Sequence, residues 1–558
     1  MKVAWQFGIA MLAVTHVLSS EVLVGLQHRN LGELENLFWR VATPGNADYL
    51  KFRSINDLAD LIGSRDSEIK AVKDWLIKSG ADPTAMTVSP LRDSVTASFK
   101  SKGPLLRGAL SAGVLPEGVE FVIHRGSQTT STHRPASNLR AADRSTGTYT
   151  VENIKNAYGI PLDLKATNAS TLQMVWGPGT FGYSASQLES FKSSQCPLLD
   201  PSKIKFDTQN HGHIGDNYME GNLDTQMISA FGLNVETLVS NTNTSSSTEE
   251  GEGFGEALLD FVTQLQSRDV VPQVLSLSLG SLSAYSCDLL VSKAQEAGFS
   301  EKDVRQYLQD QRQVCMFLSR EQVRRINTGF QLLGLRGVSV FGSSGDGGSH
   351  FSFQQFEGGP IANELNKISC AYQMPVFPTT SPYITSVGGT DWSGLFRPDP
   401  SKPKAWSGSG GGFSWEFGAP AHQKGAVSAY LQSTSDLPPS SSFNASGRAY
   451  PDISAVAVEG TSQSSPMVAG IFSLVNDHRL NAGLPPLGFL GPRLYQAMTK
   501  FPDEAFESVD SGNTKTSCDN GFPAKKGWDP VTGWGRPRWQ GLLKHFGSDS
   551  SEMARIVV

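Results

Sequence analysis

Between residues 274 and 341 the apolar pattern changes period twice, and this alternation constrains the fold more than any other feature of the chain. Val274-Leu-Ser-Leu-Ser-Leu279 alternates apolar and polar residues, which is the period of an extended strand. Val323, Ile326, Phe330 and Leu333 then recur at helical spacing, and Gly337 to Phe341 returns to a strand. Strand, helix, strand joins parallel neighbours, so the expected architecture is α/β, with a central, mostly parallel sheet flanked by helices. A strand over Tyr383 to Val387 and a helix over Pro466 to Leu480 extend the pattern. In such sheets ligands bind beyond the carboxyl ends of the strands, which makes Asp346, in Ser344-Gly345-Asp346, a site candidate. The competing reading is a turn-forming aspartate in a glycine-rich loop.

With 558 residues the chain exceeds one ordinary domain, and 39% hydrophobic against 18% charged residues is a globular balance. A net charge of −6, with no block of lysine or arginine, argues against nucleic acid as a partner. Met1-Lys2, the apolar run Val3 to Val17 and Leu18-Ser19-Ser20 predict a signal peptide over residues 1–20, the run being interrupted and short for a membrane span. No later stretch is long enough to span either. Entry to the secretory pathway makes the sequons at Asn168, Asn243 and Asn444 candidate glycosylation sites. The five cysteines lie far apart without metal-ligand spacing, so disulfides are expected, with one thiol left over.

From Glu21 to about Arg144 there are helical patches, such as Leu31 to Val41 and Ile69 to Ser79, but no catalytic cluster. Ser127 to Ser145 reads as an exposed linker at a domain boundary, and Ser240 to Gly255 as a second flexible stretch.

Gly460-Thr461-Ser462 places a serine where a glycine-flanked turn opens an apolar helix, a setting that suits a nucleophile and equally a helix cap. His211-Gly212-His213 lacks the context of a catalytic base. A carboxylate can take that role in acid, and Glu256 and Asp260 fall one turn apart on one helical face, where two acids can share a proton. A solvated acidic face is the alternative for that pair.

Glu256-Ala-Leu-Leu-Asp260, Ser344-Gly-Asp346 and Gly460-Thr-Ser462 resemble, in order, the motifs of the sedolisin family of acid serine peptidases. Ser409-Gly-Gly-Gly-Phe413, Ser381 to Thr390, Phe443 to Asp452 and Pro485 to Tyr495 extend the resemblance, toward a lysosomal member that releases tripeptides from free N-termini. It implies a subtilisin-like fold preceded by an α+β prodomain, a propeptide over residues 21–148 that inhibits the enzyme, and a peptidase domain over 149–558. It further implies Ser462 as nucleophile, Glu256 as base with Asp260 behind it, and a protonated Asp346 in the oxyanion hole. The resemblance also implies disulfides Cys370 to Cys518 and Cys287 to Cys315, an unpaired Cys196, and a Ca2+ site from Asp529, Gly527, Lys525, Ser508 and Val509. At that site Ser508 stands where the family has an aspartate. In addition, Ala457-Val458-Glu459 leads almost directly into Gly460, where the family carries a longer strand-like segment. Three activities stay open at this level: a tripeptidyl peptidase, an acid endopeptidase, and a catalytically impaired homologue acting as a binding protein.

Overall fold

The computed structural model describes residues 20–99, 115–125, 149–207, 219–242, 253–310, 314–350, 356–394, 398–516 and 518–549. The predicted linker Ser127 to Ser145, His211-Gly-His213, Asn243 and nearly all of the predicted signal peptide lie outside these residues.

Two sheets organise the chain. The first is antiparallel and four-stranded, built from β1 (Ser20–Leu26), β2 (Ala81–Val88), β3 (Ser94–Phe99) and β4 (Val119–Arg125) in the order β2-β3-β1-β4. Helices α1 (Leu31–Ala42), α2 (Ile55–Ile62) and α3 (Asp66–Lys78) accompany it. The two helical patches legible in the sequence are α1 and α3. Ser54 starts α2 with a capping box, its hydroxyl accepting from the Asp57 amide while Asp57 reaches back to the Ser54 amide.

The second sheet has eight strands and is parallel apart from one antiparallel edge. Its strands are β5 (Leu172–Pro178), β6 (Ile204–Phe206), β7 (Glu236–Thr242), β8 (Val274–Leu277), β9 (Ser339–Ser343), β10 (Thr385–Ser393), β11 (Asp399–Ala405) and β12 (Ile453–Val456). The order is β11-β10-β9-β8-β5-β7-β6, with β12 paired in parallel to β10. The helices that matter for the site are α4 (Met219–Phe231), α5 (Phe254–Leu265), α6 (Arg320–Leu335) and α7 (Thr461–Asn481).

Alternation along the strands assigns each helix to a face. Val175, Val274 and Phe341 pack with Ile228 and Phe231 of α4 and with Val468, Ile471 and Phe472 of α7. Their neighbours Met174, Trp176, Leu275 and Val340 pack instead with Leu258 and Phe261 of α5 and Ile326 and Phe330 of α6. Because successive side chains on a strand point to opposite faces, α4 and α7 lie on one side of the sheet and α5 and α6 on the other. On the first side the two helices touch closely, since a Cβ on Gly470 would stand 2.5 Å from the Ile228 carbonyl oxygen.

The N-terminal unit docks on the second side. Leu23, Phe121 and Ile123 join the apolar cluster of α5 and α6, and Leu34 and Phe38 pack on Leu332, Leu335 and Phe489. Disulfides link Cys287 to Cys315 and Cys370 to Cys518, while Cys196 is a buried free thiol.

Candidate active site

Ser462 is the second residue of α7, directly beyond the carboxyl end of β12. Only Ala457, Val458 and Glu459 separate the strand from Gly460, and the turn is closed by the Gly460 amide donating to the Ala457 carbonyl at 3.3 Å. The Glu459 amide donates to Gln463 Oε1 at 3.1 Å, so the shortened connection is anchored to the first turn of α7. Gly460 has φ +87°, and a Cβ there would stand 2.4 Å from Asp346 Oδ2, so only glycine lets the serine turn approach that carboxyl.

Asp346 is held by Thr461, whose amide and hydroxyl both donate to its Oδ1 at 2.8 Å. The Gly345 amide in turn donates to Thr461 Oγ1 at 3.1 Å. The Gly410 amide donates to the Gly345 carbonyl at 2.7 Å, tying the Ser409 to Phe413 motif to this loop. Burial raises the proton affinity of Asp346, against the two Thr461 hydrogen bonds that oppose it. With Oδ1 occupied as an acceptor, a proton on this carboxyl belongs on Oδ2, the oxygen beside Gly460.

The acids next to Ser462 are Glu220 and Asp224, on α4. Ser462 is hydrogen-bonded with the Glu220 side chain, and the Asp346 charge also acts on Glu220. The Ser278 carbonyl, 3.4 Å from Ser462 Oγ, is a long alternative acceptor for the same hydroxyl proton. Asp224 is fully buried and accepts the Ser278 hydroxyl on Oδ1 at 2.8 Å. Glu220 Oε1 and Asp224 Oδ2 are shut away from solvent without a hydrogen-bond partner among the described residues. Burial pushes both carboxyls upward in proton affinity, helped at Glu220 by the Asp346 charge and at Asp224 by the Glu220 charge, and opposed by the Ser462 and Ser278 hydrogen bonds. Two such groups one helical turn apart hold one proton between them more readily than two charges or none.

This corrects the assignment of Glu256 and Asp260. Both lie on α5, across the sheet from α7, and Asp260 is engaged by Arg125 of β4, whose Nε and Nη2 donate to its two oxygens at 2.9 and 2.7 Å. Glu21 pairs with the same guanidinium. The spacing read in the sequence is real, but the partner of Asp260 is an arginine of the N-terminal unit. Glu220 and Asp224 carry the same Glu-x-x-x-Asp spacing and were open to the same reading. Gly221 and Asn222 between them are poor helix formers, and this hid α4.

At the predicted calcium site Asp529 is fully buried, its oxygens accepting the amides of Lys525, Val531 and Thr532 at 2.8 to 2.9 Å. The Gly527 amide donates to the Ser508 hydroxyl at 3.2 Å, which brings the two halves of the predicted donor set together. Burial without a cationic partner pushes Asp529 up to about 7. No group of three or more His, Cys, Asp or Glu suited to a metal occurs among the described residues, so an ion here would rest on one carboxylate and on carbonyls. A buried carboxylate without a cationic partner is chemically compatible with a hard cation. Of the sequons, Asn168 is half-buried with its amide donating to Asn481, and Asn444 donates to the Ser414 carbonyl.

Residues 13–102 match the pro-kumamolisin activation domain. The chain is 29% identical to tripeptidyl-peptidase 1 of Canis lupus familiaris, over 93% of this chain and 90% of that protein. Its identity to tripeptidyl-peptidase 1 of Homo sapiens is 28%, with the same coverage. Among solved structures, Pseudomonas sedolisin, a serine-carboxyl proteinase complexed with two molecules of pseudo-iodotyrostatin, is similar with a TM-score of 0.48 and 21% identity, covering 72% of this chain and 98% of that one. An activation domain at the N-terminus, followed by similarity to a tripeptidyl-peptidase along almost the whole chain, makes this protein similar to serine peptidases that are made as zymogens.

Proposed function

We propose that the protein removes tripeptides from the free N-termini of polypeptides in acid, with Ser462 as nucleophile, Glu220 as general base, Asp224 as the partner that shares its proton, and Asp346 as oxyanion donor. The observation that carries this reading is a hydroxyl at a helix N-terminus hydrogen-bonded to Glu220, an acid with a second, buried acid one turn away and no cation beside either among the described residues. Ser462 Oγ attacks the scissile carbonyl carbon, and its proton passes to Glu220 as the new C–O bond forms. The carbonyl oxygen becomes an oxyanion that accepts a hydrogen bond from protonated Asp346. Collapse breaks the C–N bond, and the leaving amine takes the proton from Glu220. Water, deprotonated by Glu220, then releases the tripeptide acid from Ser462. Ionised Asp346 would repel the oxyanion, so the rate should fall as pH rises through its elevated pKa. The acid limb belongs to the Glu220 and Asp224 pair.

Residues 21–148 would form the inhibitory propeptide and 149–558 the peptidase domain. Calcium would be held by Asp529 with oxygens of Ser508, Val509, Lys525 and Gly527, and would stiffen this loop without entering the reaction. The basic, apolar N-terminus, the two disulfides and the acid-dependent chemistry together favour the lysosome, reached by the secretory pathway, with secretion as the alternative. Among the described residues no helix is long and apolar enough to cross a membrane.

The test is a tripeptide arylamide offered with a free and with a blocked amine at acid pH. Cleavage of the free form alone is expected. Cleavage of both would make the protein an endopeptidase, and cleavage of neither by the acid-matured protein would reject the enzymatic reading.

A further inference from the structure

Ser278 sits immediately beyond the carboxyl end of β8 and touches the site through two different groups. Its hydroxyl donates to Asp224 Oδ1 at 2.8 Å, the one hydrogen bond that fully buried Asp224 makes among the described residues. Its carbonyl accepts from Ser343 Oγ at 2.6 Å and lies 3.4 Å from Ser462 Oγ. The Ser343 hydrogen bond, running from the end of β9, fixes the peptide plane at Ser278 against the neighbouring strand. The residue is 6% exposed, so water does not replace its hydroxyl.

We propose that Ser278 is a positioning residue for catalysis: by donating to Asp224 Oδ1 it leaves Oδ2 as the oxygen that shares a proton with Glu220, and so sets the basicity of Glu220 toward Ser462. A carboxylate with two equivalent free oxygens can rotate and present either to a partner. A donor committed to one oxygen removes that freedom and lowers the proton affinity of the group it touches. The Ser278 hydroxyl opposes the burial that raises Asp224. Its carbonyl meanwhile gives the Ser462 proton a weak resting acceptor, long enough at 3.4 Å to be surrendered when substrate arrives. Ser278 makes no bond to substrate in this role; it acts through Asp224. The proposal rests on Glu220 and Asp224 being the acids that serve Ser462.

The experiment compares Ser278→Ala, Ser278→Cys and Asp224→Asn, singly and as the Ser278→Ala with Asp224→Asn double variant, in the full chain after acid maturation. Free-amine tripeptide arylamide is the substrate throughout. Loss of one hydrogen bond to an ionisable group predicts that Ser278→Ala lowers kcat by about ten- to a hundredfold, with KM within about twofold. The acid limb of the pH profile should move to higher pH, because the pair then holds its proton more tightly. Ser278→Cys keeps the volume and a weak donor and should fall between Ala and wild type, which also decides the matter if the alanine variant does not fold. In the Asp224→Asn background Ser278→Ala should have little further effect, as expected of residues acting through one contact. An unmoved acid limb in Ser278→Ala or Ser278→Cys, or full additivity with Asp224→Asn, overturns the proposal. Glu220→Gln run alongside separates the two levels: an inactive Glu220→Gln with an unmoved Ser278 variant sinks the Ser278 role alone, whereas an active Glu220→Gln sinks the base assignment beneath it.

Discussion

Helices α4 and α5 carry the same device, a glutamate and an aspartate one turn apart, on opposite faces of one sheet. On α5 the aspartate is met by a bidentate guanidinium from Arg125, so its buried charge is matched. On α4 the aspartate has a serine hydroxyl and a second acid for company, and no cation within ion-pair distance among the described residues. The first arrangement holds the N-terminal unit in place. The second leaves two acids whose proton affinity burial raises, the pair proposed above to serve Ser462. Spacing therefore identifies a pair of acids, and only what faces them decides whether they dock a segment or do chemistry.

The largest effect that could break this comparison is on activity. Glu220→Gln should cost on the order of 10⁴-fold or more in kcat, and Ser462→Ala should approach 10⁶-fold and abolish self-maturation, as with other residues acting as one catalytic unit. Glu256→Gln should stay within a few-fold of wild type; equal losses at Glu220 and Glu256 would erase the distinction between the helices. Asp346→Asn comes next, with about 10² to 10³-fold lost in acylation and the fold intact by thermal melting.

Docking of the N-terminal unit sharpens the other half of the comparison. Removing one member of a buried ion pair costs about 3 to 5 kcal/mol. In a Ser462→Ala background, which prevents self-cleavage, Arg125→Ala should therefore release the N-terminal unit at a clearly higher pH, as followed by size-exclusion chromatography of nicked protein. Retention of the wild-type release pH would deny Arg125 a docking role.

A smaller, pH-specific effect comes from His28 in the N-terminal unit. Burial and the nearby Arg325 charge lower it to about 4, against the hydrogen bond and charge of Asp93. A histidine whose docked pKa lies below its free value near 6.5 favours docking fully above that value, and this contribution is lost as pH falls through about 4. Asp93 works in the same direction: burial would raise it, but His28, Arg325 and Ser89 bring it to about 2, so its contribution fades below its free value near 3.8. Glu120, which pairs with Arg325 but is raised by burial, opposes both. His28→Gln should flatten the dependence of docking between pH 6.5 and 4, and an unchanged slope would clear His28 of any part in release. The smallest effect expected is at Asp529. Chelation of calcium should lower the unfolding temperature by about 5 °C without changing kcat, and Ser508→Asp should enlarge that shift.

Much of the fold was legible because it depends on local period. The strands at 274 and 339, the helix α6 between them and the helix behind Gly460 all appear in the pattern of apolar residues, and α1 and α3 do as well. Boundaries moved by a few residues, as with α7, which begins at Thr461 rather than near Pro466 because the serine turn is itself its first turn. Asp346 was recognisable since it follows a strand end, where a parallel sheet collects its site, and Ser462 since a glycine-flanked turn there opens an apolar helix. Helix α4 was not, because Gly221 and Asn222 weaken its signal while close packing against α7 holds it in place.

The amino-acid sequence by itself determined the parallel architecture, the glycine-flanked serine turn, the aspartate loop and the existence of acid pairs at helical spacing. Those follow from periods and turn preferences that act over a few residues. Which acid pair meets Ser462, and which meets Arg125, was decided by the tertiary structure alone. The contacts join residues up to 242 positions apart, one contact on each face of the sheet, and no local pattern says which face a helix takes: 242 separates Glu220 from Ser462, and 135 separates Arg125 from Asp260. A carboxylate's proton affinity depends on burial and neighbouring charge, and both come into being only when those distant segments close upon one another.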